Sequence, residues 1–213
     1  MGNTTQINLA LQSYESRSRP ASVERLINCY VQPLPQESSF PYIVTGTVGA
    51  KVWKDLDLVD PIYGFNQMGS DLYVVSGLTV LKIDSNKNIT TLGIMADLPN
   101  RVMMTNNGTH VGILTEAGNL FLADTTTLTQ VTDVDYQLAE SVTNLNLYFI
   151  LAKQNSFQFF LSDLNDATSY GATQVSSVEN NSKPLTAMLS NNLEVWAFKE
   201  DVISVLNNDG NYS

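Results

Sequence analysis

The sequence predicts an all-β fold, and three observations carry that prediction. Four segments repeat one plan: an apolar strand, a short polar turn, a second alternating strand, then Asp or Asn. Their equivalent central positions, Val74, Ile113, Phe149 and Val195, stand 39, 36 and 46 residues apart, close to the roughly 40–45 residues of a four-stranded propeller blade. No segment holds a helical period over about ten residues, the stretch from Asp133 to Ser141 coming nearest with room for one helical turn. Together these features predict a β-propeller-like array of antiparallel blades over residues 46–213, about four in number with the last incomplete, preceded by an extended amino-terminal arm over residues 1–45.

The arm is expected from its prolines. Pro20, Pro33, Pro35 and Pro41 fall in the first 45 residues, and proline fixes φ and withdraws a ladder donor, which argues against central strands. One short strand is expected inside it, from Leu26 to Val31. The local acidic run Asp55, Asp57 and Asp60 alternates with Leu56, Leu58 and Val59 and reads as an exposed strand edge.

From about Tyr63 the repeats begin. The first copy is Leu72-Tyr-Val-Val-Ser-Gly followed by Thr79-Val-Leu-Lys-Ile-Asp84, and the second is His110-Val-Gly-Ile-Leu-Thr-Glu-Ala-Gly-Asn followed by Leu120-Phe-Leu-Ala-Asp124. The third runs from Leu147 through Phe157-Gln-Phe-Phe-Leu-Ser-Asp163, and the fourth from Leu193 through Val202-Ile-Ser-Val-Leu-Asn207. Branched and aromatic residues favour strands, while Ser76-Gly77, Ala117-Gly118, Asn155-Ser156 and Glu200-Asp201 supply hairpin turns. Ile89-Thr-Thr-Leu and Leu128-Thr-Gln-Val-Thr fall where a further strand of the blade would run. The fourth copy stops before its outer strands, so the residues are expected to be the front portion of a longer protein.

Composition narrows the function classes. The formal net charge is −10 and the eleven Lys and Arg residues are scattered, which offers no basic stripe for a phosphate backbone. Direct nucleic-acid binding is therefore not expected. No basic-then-apolar leader follows Met1 and no window approaches a membrane span, so a soluble chain without membrane contact is expected. Cys29 has no cysteine to pair with and sits among apolar neighbours; His110, the only histidine, opens an apolar strand. Both read as structural residues.

The search for chemistry returns turns. Asp84-Ser-Asn86-Lys-Asn88 begins like a calcium loop, yet Ile89 occupies the place of the required Gly and Met95 that of the bidentate Glu. Gly46-Thr-Val-Gly-Ala-Lys51 lacks the spacing and following Ser or Thr of a phosphate loop. No nucleophile elbow, Cys-X-X-Cys pair or histidine pair is present, and no pair of carboxylates is singled out for glycoside hydrolysis. No catalytic, metal or cofactor site is expected. A rival reading, a propeller that binds carbohydrate or a receptor, would use Tyr63, Phe65, Tyr136 and Tyr170.

The string Ser13-Tyr-Glu-Ser-Arg17-Ser-Arg19-Pro20-Ala-Ser-Val-Glu-Arg25-Leu-Ile-Asn28-Cys-Tyr30, with Pro33 after it, resembles the opening of the packaged-DNA stabilisation proteins of short-tailed, P22-like bacteriophages. The resemblance continues through Asp71-Leu-Tyr-Val-Val, Thr105-Asn-Asn-Gly-Thr109 and Phe157-Gln-Phe-Phe-Leu-Ser-Asp-Leu-Asn-Asp-Ala-Thr168, and is strongest at Asn192-Leu-Glu194-Val-Trp196-Ala-Phe198. It implies a non-enzymatic tail component of the virion, assembled in the bacterial cytoplasm. Such a component forms an oligomer below the portal and tail adaptor, receives the tail needle, and closes the channel on packaged DNA. On this resemblance Arg17, Arg19 and Arg25 are the expected subunit contacts.

Overall fold

The computed structural model describes residues 29–33, 42–46, 49, 51–97 and 99–207. The chain divides into two compact units, Met1–Asp55 and Leu56–Ser213.

In the first unit β1 (Cys29–Pro33) pairs antiparallel with β2 (Tyr42–Gly46), Cys29 opposite Gly46 and Pro33 opposite Tyr42. Of the strand expected from Leu26 to Val31, Cys29 to Val31 lie in β1 and residues 26–28 lie outside the described residues; a partner strand, β2, joins it. Pro33 is tolerated because it is the last residue of β1, where a missing N–H costs the ladder least.

Among the described residues the second unit contains strands and no helix. Its first sheet is β3 (Ile62–Met68), β4 (Asp71–Ser76), β5 (Thr79–Ile83) and β6 (Ile89–Ile94). The second is β7 (Val102–Asn106), β8 (Val111–Thr115), β9 (Leu120–Ala123) and β10 (Leu128–Gln130). The third is β11 (Ala139–Leu145), β12 (Tyr148–Lys153), β13 (Gln158–Asp163) and β14 (Asp166–Ser177). The fourth has three described strands, β15 (Leu185–Asn191), β16 (Glu194–Lys199) and β17 (Ile203–Asn207). Every sheet is an antiparallel meander in chain order, so each is one blade of the expected array.

The repeated sequence plan is the middle of each blade. The paired runs become β4 with β5, β8 with β9, β12 with β13, and β16 with β17, while Ile89 and Leu128 open β6 and β10. In the first three blades their continuous apolar character follows from burial on both faces. In β8 and β9, Val111, Ile113, Phe121 and Ala123 pack with Tyr73, Val75 and Val80 of the first blade. The intervening Leu114, Leu120 and Leu122 pack with Phe149, Leu151 and Phe160 of the third. A further cluster joins Ile150 and Ala152 to Met188, Val195 and Ala197 of the fourth. Each fully buried Leu, Ile, Val or Phe contributes about 1.5–3 kcal/mol, so blade stacking is the main source of stability.

One expectation is corrected. Asp55, Asp57 and Asp60 lie outside any strand: Asp57 stands at φ 51°, which no strand accepts, and Pro61 follows with no N–H to give. The stretch Asp133 to Ser141 holds no helical turn. Asp133 Oδ1 accepts the Asp135 N–H at 2.8 Å and its carbonyl accepts the Tyr136 N–H at 3.2 Å, making a tight turn that delivers the chain into β11 at Ala139.

Gly112 marks a close approach between the second and third blades. A Cβ there would stand 2.7 Å from Phe149 Cε1, so the absence of a side chain lets the fully buried Phe149 ring lie against β8. Urea unfolding is expected to show Phe149→Ala destabilised by about 3–5 kcal/mol through its cavity and Gly112→Ala by about 1–3 kcal/mol through overpacking. The Gly112→Ala loss is expected to shrink in a Phe149→Leu background, and strict additivity would refute the contact.

Candidate interaction surface on the first strands and turns

The first strands of successive blades run side by side, β3 beside β7, β7 beside β11 and β11 beside β15. They are joined by side chains one repeat apart. Asn106 Nδ2 donates to Asn66 Oδ1 at 2.8 Å and to the Gln67 carbonyl at 3.0 Å, and Thr105 Oγ1 donates to Asn144 Oδ1 at 2.7 Å. Thr143 Oγ1 donates to Ser190 Oγ at 3.0 Å and accepts the Ser190 N–H at 3.0 Å, while Ser141 Oγ accepts the Met188 N–H at 2.9 Å. Short neutral side chains suit this line: they satisfy backbone groups of the neighbouring edge strand without the desolvation cost of a charge. Glu140 is the sole charged residue on the four strands. Such a seam binds by neutral hydrogen bonds and gives no electrostatic hold on a polyanion.

The acidic residues that close the repeats are turn caps. Asp84 Oδ1 accepts the Asn88 N–H and Asp84 Oδ2 accepts Asn88 Nδ2, both at 2.8 Å, and these bonds lower its pKa. The expected polar turn is therefore what stands at the calcium-like string, and its leading carboxylate is already occupied. Asp124 Oδ1 accepts the N–H groups of Thr126 and Thr127, each at 2.6 Å; with the Thr126 N–H leading, these bonds bring its carboxyl down to about 2. Asp163 holds Ser169 Oγ at 2.6 Å and Gln174 Nε2 at 2.7 Å, and so ties β13 to β14. Among the described residues, no three His, Cys, Asp or Glu side chains converge on a metal position.

Lys199 is the one buried charge among the described residues, 6% exposed. Its Nζ donates to the carbonyls of Val178 and Asn181, the latter at 2.7 Å, and lies 5.8 Å from the centroid of the Phe157 ring. It pins the loop between β14 and β15. Lys82 Nζ bridges blades one and two by donating to the Thr125 carbonyl and lying 3.9 Å from Asp71 Oδ2.

The candidate residues are dispersed. Arg17, Arg19 and Arg25 lie outside the described residues, as do Thr47, Val48 and Ala50 of the phosphate-loop-like string. His110 Nδ1 stands 3.2 Å from Thr109 Oγ1 at the turn into β8. Of the four aromatics suited to a sugar, Tyr136 and Tyr170 are core instead. They pack edge-on with each other at 5.3 Å and with Phe160 at 5.6 and 5.7 Å, and burial raises the pKa of both phenols. Tyr63 is half-buried against the first cluster and Phe65 alone is open, at 71% exposed. A shallow cleft of about 20 Å³ beside Arg101, Glu116 and Glu140 is far below the roughly 300–1,000 Å³ of ligand sites.

The first strands escaped sequence reading because their apolar positions are interrupted by Thr, Asn, Ser and Gln. The available signal was the 39- to 40-residue spacing of Asn66, Thr105, Asn106 and Asn144.

The profile of the family described as Bacteriophage P22 Gp10, beta-propeller, matches residues 25–213. The chain belongs to this family. Membership in the Gp10 family accounts for the stacked antiparallel blades and places the chain among bacteriophage structural proteins. Among curated proteins none matches the sequence. Solved structures share the fold at low identity: the computationally designed Ika4 protein, at 8% identity and TM-score 0.55, over 75% of this chain and 99% of that one. BamB from Moraxella catarrhalis is similar at 17% identity and TM-score 0.54, over 81% of this chain and 53% of BamB. The designed Ika8 protein matches at 9% identity and TM-score 0.51, over 86% of this chain and 57% of Ika8. The chain thus spans about half the length of BamB and of Ika8.

Two predictions concern this scaffold. Because the Asp124 carboxyl is lowered from its ordinary value near 4, its stabilisation is complete above about pH 4 and is lost as pH falls toward 2. Asp124→Ala is expected to cost about 1 kcal/mol at neutral pH, as an exposed cap does, and to flatten the acid limb of a thermal-melt series between pH 4 and pH 2. Lys199→Met is expected to lose about 1–3 kcal/mol in denaturant melts, since two carbonyls are left unpaired under the new side chain.

Proposed function

We propose that this Gp10-family protein is a structural tail component that helps close the portal and tail channel and retain packaged DNA. It acts by assembly and catalyses no reaction. The observation that carries the reading is the family match over residues 25–213. The neutral seam on the first strands and the net charge of −10 agree with it, because a protein near packaged DNA that must release it gains from not binding phosphate.

In this reading the partners are the tail adaptor and portal ring on one side and the tail needle on the other, with copies of the chain associating in the virion. Assembly takes place in the cytoplasm of the bacterial host. Residues 1–45 act as an arm toward neighbouring subunits, with Arg17, Arg19 and Arg25 as contacts. The carbohydrate reading loses support because two of its four aromatics are core residues.

The test is the mass of the full chain, alone and mixed with the cognate tail-adaptor assembly. Stable co-migration is expected, and the triple substitution Arg17→Glu, Arg19→Glu, Arg25→Glu is expected to weaken it at least about tenfold with an unchanged melting temperature. A folded protein that ignores the adaptor at every concentration tried would overturn the adaptor contact.

A further inference from the structure

The chain enters the first blade through a chemically labile bond. Asp60-Pro61 is the only Asp-Pro pair in the sequence, and both residues are exposed just ahead of β3. A bond to proline is a tertiary amide whose nitrogen carries no hydrogen; that nitrogen is protonated and expelled more readily than an ordinary peptide nitrogen. Aspartate adds a carboxylate able to close a five-membered ring on its own carbonyl carbon. The β4–β5 hairpin holds this bond at both of its residues. The Ser76 hydroxyl, on a residue only 1% exposed, donates to the Asp60 carbonyl oxygen at 2.9 Å. The Gly77 N–H donates to the Pro61 carbonyl at 3.2 Å, and Ile62 pairs with Ser76 as β3 begins. The Asp60 side chain lies over Gly77: a Cβ there would stand 2.5 Å from Oδ2 and 2.8 Å from Cγ, so the bare glycine is what admits the carboxylate.

We infer that Asp60-Pro61 is a self-cleavage site, with the Asp60 carboxylate as nucleophile and Ser76 as oxyanion donor. A carboxylate oxygen of Asp60 attacks the carbonyl carbon of the same residue and closes the ring. The carbonyl electron pair moves onto the oxygen to which the Ser76 hydroxyl already donates. A buried donor held at that distance stabilises charge as it develops, because nothing has to reorganise. The tetrahedral centre then collapses, the C–N bond breaks, and the Pro61 nitrogen leaves as a secondary amine with a proton taken from solvent. A water molecule from solvent opens the cyclic anhydride and leaves Asp60 with two carboxyl groups. The net change is one water added across one peptide bond. It happens once per chain, so it is not turnover, and it stands or falls separately from the adaptor contact. The break lies between β2 and β3, so it parts residues 1–60 from the blades while leaving every described strand whole.

Intact-mass spectrometry of the purified full chain, incubated in mildly acidic buffer, tests it. Two products are expected, residues 1–60 and 61–213, whose masses sum to the intact mass plus one water. Asp-Pro bonds also hydrolyse in unfolded chains, so the rate decides. The folded chain is expected to yield the products at least about tenfold faster than the same chain unfolded in urea, since only the fold brings Ser76 to the Asp60 carbonyl. Ser76→Ala is expected to slow the folded chain at least about tenfold and to leave the urea rate unchanged, and Asp60→Ala to abolish cleavage at this bond. The comparison of folded with unfolded chain does not depend on the Ser76 variant folding. A folded chain cleaved no faster than the unfolded one would overturn the inference, as would a folded Ser76→Ala chain cleaved at the original rate.

Discussion

Face-to-face stacking of apolar blades is the constraint on which the rest of this structure depends. A strand in the middle of the array serves two interfaces at once, its alternate residues belonging to different clusters, as Ile113 and Leu114 do in β8. A slip of one residue would exchange the two sets, so register has to be held tightly. The hairpins hold it. Two-residue loops at Gly77-Leu78, Asn146-Leu147 and Asn192-Leu193 each begin with positive φ, at 56°, 49° and 55°, the backbone hand that matches strand twist. Leu147 follows at φ 71° while 46% exposed, a conformation that disfavours its branched side chain and that the Asn107 Nδ2 bond to its carbonyl helps maintain.

Stacking also sets what the first strands can be. Where they run side by side, the edge of one faces the backbone of the next, and branched apolar side chains would leave N–H and C=O groups unpaired. Thr, Ser and Asn answer both demands, being small and able to donate and accept. The seam from Asn66 to Ser190 is thus a consequence of blade geometry before it is a surface for anything else. Its neutrality has a functional side all the same: a line of amides and hydroxyls can be lined up against a partner without depending on salt.

The middle strands were legible because burial on both faces writes long apolar runs in the first three blades and the fourth keeps the same residue types, and their turns because Gly and Asn are needed for positive φ. The acidic residue that ends three of the copies was visible as a pattern, and its meaning came from geometry: Asp84 and Asp124 cap turns, and Asp163 ties two strands. The first strands were hidden, since hydrogen bonds to the next blade interrupt their apolar alternation. The rival carbohydrate reading could draw on Tyr136 and Tyr170 because an aromatic in a polar stretch looks the same whether it points out or folds back onto Phe160. Residues 133–141 came nearest a helical period without holding one, and Asp133 and Tyr136 serve a turn that periodicity does not register.

The first and the fourth described blades differ in how far their outward sides are buried. The outward side of the first blade is closed, with Val74, Leu81 and Ile83 buried, whereas the fourth blade turns Leu189, Ile203 and Val205 to the outside. The fourth blade keeps the residue types of the covered faces, and its strands pair in register from Ala187 of β15 to Ile203 of β17. Blade stacking is the contact that buries the equivalent residues of the first three blades, and the fourth blade is built to the same pattern.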